Sequence, residues 1–212
     1  MRNRRPVLHT AVLLGALTAF SASVAVASEF SMGIVGGAGR PTGDFDDAAR
    51  LGWTAGGYLD YMFAPVFGAG VDIAYHKFAA EDLLNVLAQE TAVTLGAPPS
   101  TTFEITFSAL QFGVHGLLVP PMGNAVRPFL SIGIAGYSAK EQFDTNTLGS
   151  SSTSATKLGL NGGAGVDFML SPAASVGIGG AYHYVDTTND FGGAMSWIAL
   201  QGRVAYHLPK PK

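Results

Sequence analysis

The sequence predicts an all-β fold: an eight-stranded antiparallel transmembrane β-barrel with four long extracellular loops and three short periplasmic turns. Three observations lead there. Eight segments alternate apolar residues with small or polar ones at a period of two, the pattern of strands with two unlike faces. Charged residues make up only 13% of the 212, against 48% apolar residues and 28 glycines, whereas a soluble surface wants about 25–35% charge. Beyond the N-terminus no run approaches the ~20 apolar residues of a spanning helix. A closed sheet is then the remaining way to satisfy the backbone in lipid.

Arg2, Arg4 and Arg5 precede an apolar run from Ala11 to Val26 that ends Ala25-Val26-Ala27. A basic flank, an apolar stretch and an A-x-A site read as a secretory signal peptide over residues 1–27. A membrane anchor is the competing reading. Gly15, Thr18, Ser21 and Ser23 interrupt the run and no basic flank follows it, which favours cleavage. The barrel is assigned to residues 28–208, and Pro209-Lys210-Pro211-Lys212 to a short tail that cannot join a sheet. Loss of the signal moves the net charge from −3 to −6, which gives no footprint for nucleic acid. The chain has no cysteine, hence no disulfide framework, thiolate chemistry or lipidation site.

The first strand spans Phe30 to Gly39, with Phe30, Met32, Ile34 and Ala38 on one face and Val35 as an exception. Arg40 to Asp47 is a loop by its Pro, Gly and Asp content. The second strand, Leu51 to Phe63, sets Leu51, Trp53, Ala55, Leu59, Tyr61 and Phe63 opposite Thr54, Gly56, Tyr58 and Asp60. After a short turn at Ala64-Pro65, the third strand, Phe67 to Phe78, alternates Val71, Ile73 and Tyr75 with Asp72, Ala74 and His76. Ala79 to Thr102 is the longest irregular stretch; Leu83, Leu84, Leu87 and Thr91 allow a short helix over Glu81–Leu95.

The fourth strand, Phe103 to Val119, has Leu110, Phe112, Val114 and Leu118 in phase, with Ile105 and Phe107 out of it. A bulge near Ser108–Ala109, or a mouth beyond the lipid, accounts for the shift. Pro120 to Asn124 is a short turn. The fifth strand sets Leu130, Ile132, Ile134 and Gly136 outward, and Asp144 to Thr156, rich in Ser, Thr and Asn without periodicity, reads as an exposed loop. The sixth strand carries Leu158, Leu160, Ala164, Val166, Phe168 and Leu170 outward, and Ser171-Pro172-Ala173 turns into the seventh, with Val176, Ile178, Tyr182 and Tyr184. Asp186 to Gly193 is the last loop, before Ile198, Leu200, Val204, Tyr206 and Leu208 on the eighth.

One hairpin occurs twice. Asp60 and Pro65, then Asp167 and Pro172, are each five residues apart, and each following strand ends Ala-Tyr-His, at residues 74–76 and 181–183. Aromatics gather at two levels, the expected interfacial girdles: Tyr61, Phe63, Phe67, Phe129, Phe168 and Tyr206 toward the turns, Trp53, Tyr75, Tyr137, Tyr182 and Tyr184 toward the loops. A soluble lipocalin-type barrel would reverse this pattern, with large apolar residues inside.

Three stretches, Ala38-Gly39-Arg40-Pro41-Thr42-Gly43-Asp44-Phe45, Gly57-Tyr58-Leu59-Asp60-Tyr61 and Gly163-Ala164-Gly165-Val166-Asp167-Phe168, resemble the small outer-membrane barrel family of opacity-type proteins, OmpX and the OmpA membrane domain. The second half also resembles the OmpW branch. The resemblance implies the fold, an outer-membrane location, contact with outer-membrane lipid and lipopolysaccharide, and assembly by the barrel-assembly machinery. It supplies no shared catalytic residues. The family's usual final aromatic is replaced here by Tyr206-His207-Leu208 and four further residues, with Tyr206 as the remaining aromatic cue.

Alternation turns Asp60, Asp72, Asp167, Arg203, His76, His115, His183 and His207 inward, where charges must pair or reach water. The expected arrangement is a polar plug of hydrogen bonds around Arg203 and its carboxylates, without a cofactor. A polar pore or proton path is the alternative. No His-x-His spacing suggests a metal site. His183, Asp186 and Ser196 show no nucleophile–base–orienter pattern, so no enzymatic activity is expected. The glycines from Gly159 to Gly165 sit inside an alternating strand and form no nucleotide loop. The sequence reading is a structural or surface-interaction barrel whose loops meet an extracellular ligand. A narrow OmpW-type channel is the second reading and a lipid-modifying enzyme the third.

Overall fold

The computed structural model describes residues 29–208, apart from 99, 123, 124, 147 and 148. The expected signal peptide and the C-terminal tail lie outside the described residues. Eight strands follow in order: β1 (Glu29–Thr42), β2 (Gly52–Met62), β3 (Phe67–Ala79), β4 (Phe103–Leu118), β5 (Val126–Thr145), β6 (Gly149–Ser171), β7 (Ala174–Val185) and β8 (Met195–His207). Each pairs antiparallel with its sequence neighbours, and β1 also pairs with β8, from Ser31↔His207 to Thr42↔Ser196, so the barrel closes. Closure removes every sheet edge within the barrel wall, the requirement for a sheet in lipid.

The alternation read from the sequence places the side chains. Ile34, Ile132, Leu158 and Leu200 stand on the outer face, each more than half exposed, while Asp60, His76, Gln111 and Trp197 are buried in the lumen. Glycine makes room for the larger inward residues. Tyr58 pairs with Gly33, and a Cβ on Gly33 would come within 2.5 Å of the Tyr58 ring. Phe129 lies across its partner Gly165 in the same way. Large and absent side chains thus face each other across neighbouring strands, and a narrow eight-stranded lumen fills without strain.

At one end the connections at Phe63–Val66 and Pro172–Ala173 are short, and β4 joins β5 there through residues 119–125. At the other end a 3-10 turn (Gly43–Phe45) follows β1, helix α1 (Asp82–Thr94) lies between β3 and β4, and helix α2 (Thr188–Phe191) between β7 and β8. Leu84 and Ala88 of α1 pack on apolar residues that fill the mouth, and Asn85 accepts a hydrogen bond from the Ile105 amide at 3.1 Å.

One pair of alternatives is decided and three expectations are corrected. No bulge interrupts β4, whose register runs unbroken from Phe103 to Leu118 with β5 and from Thr106 to Leu118 with β3. Ile105 and Phe107 change phase because the mouth is filled with apolar side chains, so the inward face there is itself apolar. Within the stretch expected as a loop, residues 144–145 and 149–156 are strand, paired from Thr145↔Gly149 onward. It has no periodicity because both of its faces meet water. Only residues 146–148 connect β5 to β6, so that end does not carry four long loops. Finally, Phe129 and Tyr137 point inward, as the outward phase of Leu130 to Gly136 requires; both are buried and neither belongs to a girdle.

A layered lumen as the candidate functional site

Three layers fill the barrel. The uppermost is apolar and aromatic. The 3-10 turn after β1 brings Phe45 over the mouth, where it meets Phe78 and Phe107 edge-on at 5.2 and 5.6 Å. Trp197 of β8, fully buried, contacts Phe78 at 5.7 Å and Tyr137 at 5.8 Å. Beneath it lie the two histidines of the repeated hairpin. His183 stacks on Trp197 at 4.8 Å with the rings 10° apart, and His76 touches both, each at 4.9 Å. Their polar contacts lead downward and sideways: His76 Nε2 to Gln111 Oε1 at 3.2 Å, and His183 Nδ1 to the Tyr137 hydroxyl at 3.0 Å.

The middle layer is a clamp. His115 Nε2 sits 2.9 Å from Asp60 Oδ1 and its Nδ1 3.1 Å from Asp72 Oδ1. Ionised carboxylates only accept, so both contacts are hydrogen bonds when each ring nitrogen carries a proton. Gln111 donates to the other oxygen of Asp72 and joins the clamp to His76. Register explains the meeting: Gly70 is the β3 neighbour of both Asp60 and His115, and its missing side chain lets the two cross.

The lowest layer centres on Arg203. Its Nε lies 3.3 Å from Asp167 Oδ1, and its guanidinium covers the rings of Phe129 at 4.0 Å and Tyr58 at 4.5 Å. At the rim Glu29 pairs with Arg127 and His207, and Ser175 with His207 at 2.9 Å. Met62, Val119 and Phe129 form a small apolar cluster beside them. Between the clamp and Arg203 the lumen keeps a cavity of about 100 Å³ lined by Tyr58, Asp60, Gln111, Asn161 and Gln201.

Of the residues singled out from sequence, Asp167 is the one that meets Arg203; Asp60 and Asp72 turn to His115 instead. The single plug around Arg203 is therefore two centres at different heights. His76 and His183 both join the aromatic stack; His76 is also linked to the clamp through Gln111, and His183 bonds the Tyr137 hydroxyl. Gln111 and Trp197 escaped the sequence reading, which also set Tyr137 in a girdle rather than the lumen. The outward phase of Ile198 and Ile134 was the cue that Trp197 and Tyr137 face in. Trp53, Tyr61, Tyr75, Phe168, Tyr182 and Tyr206 all face outward, between 38% and 49% exposed. Trp53 lies against Tyr75 at 5.5 Å. His183, Asp186 and Ser196 are not joined: Asp186 accepts from Thr188, and Ser196 donates to the Thr42 carbonyl.

No curated protein matches the chain. Among solved structures it is similar to Neisserial surface protein A, at 18% identity over 84% of this chain and 96% of that one, with a TM-score of 0.53. Ail, the attachment invasion locus protein of Yersinia pestis, gives 18%, 85%, 99% and 0.50. A major outer membrane protein of Thermus thermophilus gives 14%, 86%, 100% and 0.58. These likenesses show the fold. The profile of the outer membrane protein β-barrel domain matches residues 12–207. Closed strands, an apolar outer wall and a packed polar lumen thus agree with that match, and the chain belongs to the outer membrane protein β-barrel domain family.

Proposed function

We propose that this outer-membrane barrel is closed to solutes and works through the end that carries α1, α2 and the β5–β6 hairpin, which faces out of the cell. The observation that carries the reading is the aromatic layer: Phe45, Phe78, Phe107, Trp197 and Tyr137 meet ring to ring across the mouth. A solute passing it would have to displace fully buried side chains, and the Asp60–His115–Asp72 clamp closes the lumen again below. Tyr61, Phe168 and Tyr206 then mark the periplasmic interface, and Trp53, Tyr75 and Tyr182 the outer one, against lipid and lipopolysaccharide.

The outer end is the surface available to an extracellular ligand. One similar barrel, Ail, has been seen with the heparin analogue sucrose octasulfate. In this chain Asp44, Asp46, Asp47, Glu81 and Asp186 populate the outer end, and they repel a sulfated polyanion. The contacting surface of a partner is therefore neutral or cationic. Proteoliposomes carrying the refolded protein are expected to retain small sugars and amino acids as protein-free vesicles do. Swelling at porin-like rates would favour the narrow-channel reading instead. Lipid A mass spectra are expected to stay unchanged on overexpression, and a new acylation product would revive the enzyme reading.

A further inference from the structure

Strand β6 (23 residues) extends well past β7 (12 residues) at the outer end. On one side β5 accompanies it from Val126↔Phe168 to Thr145↔Gly149. On the other, β7 begins to pair only at Gly159↔Val185, so Gly149–Leu158 is the margin of the sheet among the described residues. The direction of its backbone groups follows from the register. The Met169 amide donates to the Ala125 carbonyl on the β5 side, and no register shift separates Met169 from Gly149 along that ladder. Backbone groups alternate sides along a strand. Ser150, Ser152, Ser154 and Thr156 therefore hold their N–H and C=O groups along the open margin.

Natural sheets protect such margins with charges, prolines or bulges. From Gly149 to Thr156 there is no charge, no proline and no bulge. Lys157 is the first charge, and it is tied to Asp190 at 2.8 Å. The segment also stands clear of lipid. Beyond Gly136 and Leu158 the outward face becomes Ser138, Lys140, Gln142 and Asp144 on β5, and Thr156 to Ser150 on β6.

The geometry points to a second copy of this chain as the occupant of the margin. An antiparallel pairing of two β6 strands about a two-fold axis at Thr153 sets Ser152 opposite Ser154 of the second copy, and Ser150 opposite Thr156. Each of these pairs exchanges two backbone hydrogen bonds. Gly149 of the second copy then falls opposite Lys157, just short of Gly159, where the pairing with β7 begins. The incoming strand fills the margin and stops where the barrel's own strand starts. A charged strand would repel its own copy in this arrangement. An uncharged Ser/Thr strand does not, and Ser and Thr side chains bond across such pairs.

A two-fold axis normal to the sheet reverses the barrel axis. Two copies in one membrane cannot meet this way, while copies in facing membranes can. The contact is isologous, head to head, and joins two surfaces that both carry the protein. One short strand pair binds weakly, but many pairs between two membranes act together. The inference rests on the reading that this end faces outward.

The chain has no cysteine, so Thr153→Cys is a unique reporter. Thr153 pairs with itself at a non-hydrogen-bonded position, where Cα atoms lie about 4.5 Å apart and a disulfide can form. Membrane-impermeant maleimide should label the variant on intact cells. Failure to label removes the outward reading and this inference together. Two labelled cell populations, expressing the full chain with different tags, should co-sediment when mixed and yield a disulfide-linked pair carrying both tags. Ser152→Pro removes a margin amide without touching the ladder to β5; it should cut co-sedimentation about tenfold or more and leave the heat-modifiable gel shift intact. Labelled cells that stay apart, clustering indifferent to Ser152→Pro, or crosslinks confined to one population or to other proteins overturn the inference while leaving the outward reading in place.

Discussion

His115 holds two carboxylates at once, so its removal strands both Asp60 and Asp72 in the lumen. His115→Ala should destabilise the folded barrel by about 3–5 kcal/mol, the cost of a buried ion without its partner, measured by urea unfolding in detergent. A loss below about 1 kcal/mol would mean that water already solvates the clamp. Gly70 tests the same spot from the backbone. A Cβ there meets His115 Nε2 and the Leu59 carbonyl at 2.6 Å, so Gly70→Ala should cost about 1–3 kcal/mol through overpacking, read in the same titration. At this scale the sequence showed the face of the charged residues and not which partner each finds. Alternation turned Asp60, Asp72, Asp167 and Arg203 inward. Height in the lumen depends on the stagger at which β1 meets β8, and no local pattern encodes that.

Among the elements, the strands whose two faces differ were legible and those with like faces were not. Strands β2 and β3, half in lipid and half in lumen, alternate plainly. The upper halves of β5 and β6 meet water on both sides, so nothing in their composition told strand from loop. The spacing of Leu83, Leu84 and Leu87 allowed helix α1, of which Leu84 packs on the barrel together with Ala88 while Leu83 and Leu87 stay exposed. Excising Gln142–Thr153 should leave the barrel folded, with its heat-modifiable migration unchanged, since every pair from Gly159 down is untouched. In the loop ahead of α2, hydrogen bonds from Thr188 hold the exposed Asp186 carboxyl below its ordinary range. A lowered folded pKa stabilises the turn above the ordinary aspartate value and releases it as pH falls through the lowered one. The Thr188 amide resonance should therefore move in that acid window, and Asp186→Asn should abolish the movement.

For the whole molecule, an apolar exterior and a layered interior describe a wall that is closed at the mouth and again at mid-height. Two uses of one hairpin put Asp60 and Asp167, and His76 and His183, on opposite sides of the barrel. The histidines meet at Trp197 while the aspartates part to different partners, Asp60 to His115 and Asp167 to Arg203. That layering makes closure the central claim, and single-channel recording in planar bilayers tests it most directly. Refolded wild-type protein should give no resolved conductance steps. The Phe45→Ala, Trp197→Ala double variant, which empties the aromatic layer, should show at most brief flicker, because the His115 clamp still stands. Stable, reproducible steps from the wild-type protein would contradict the account.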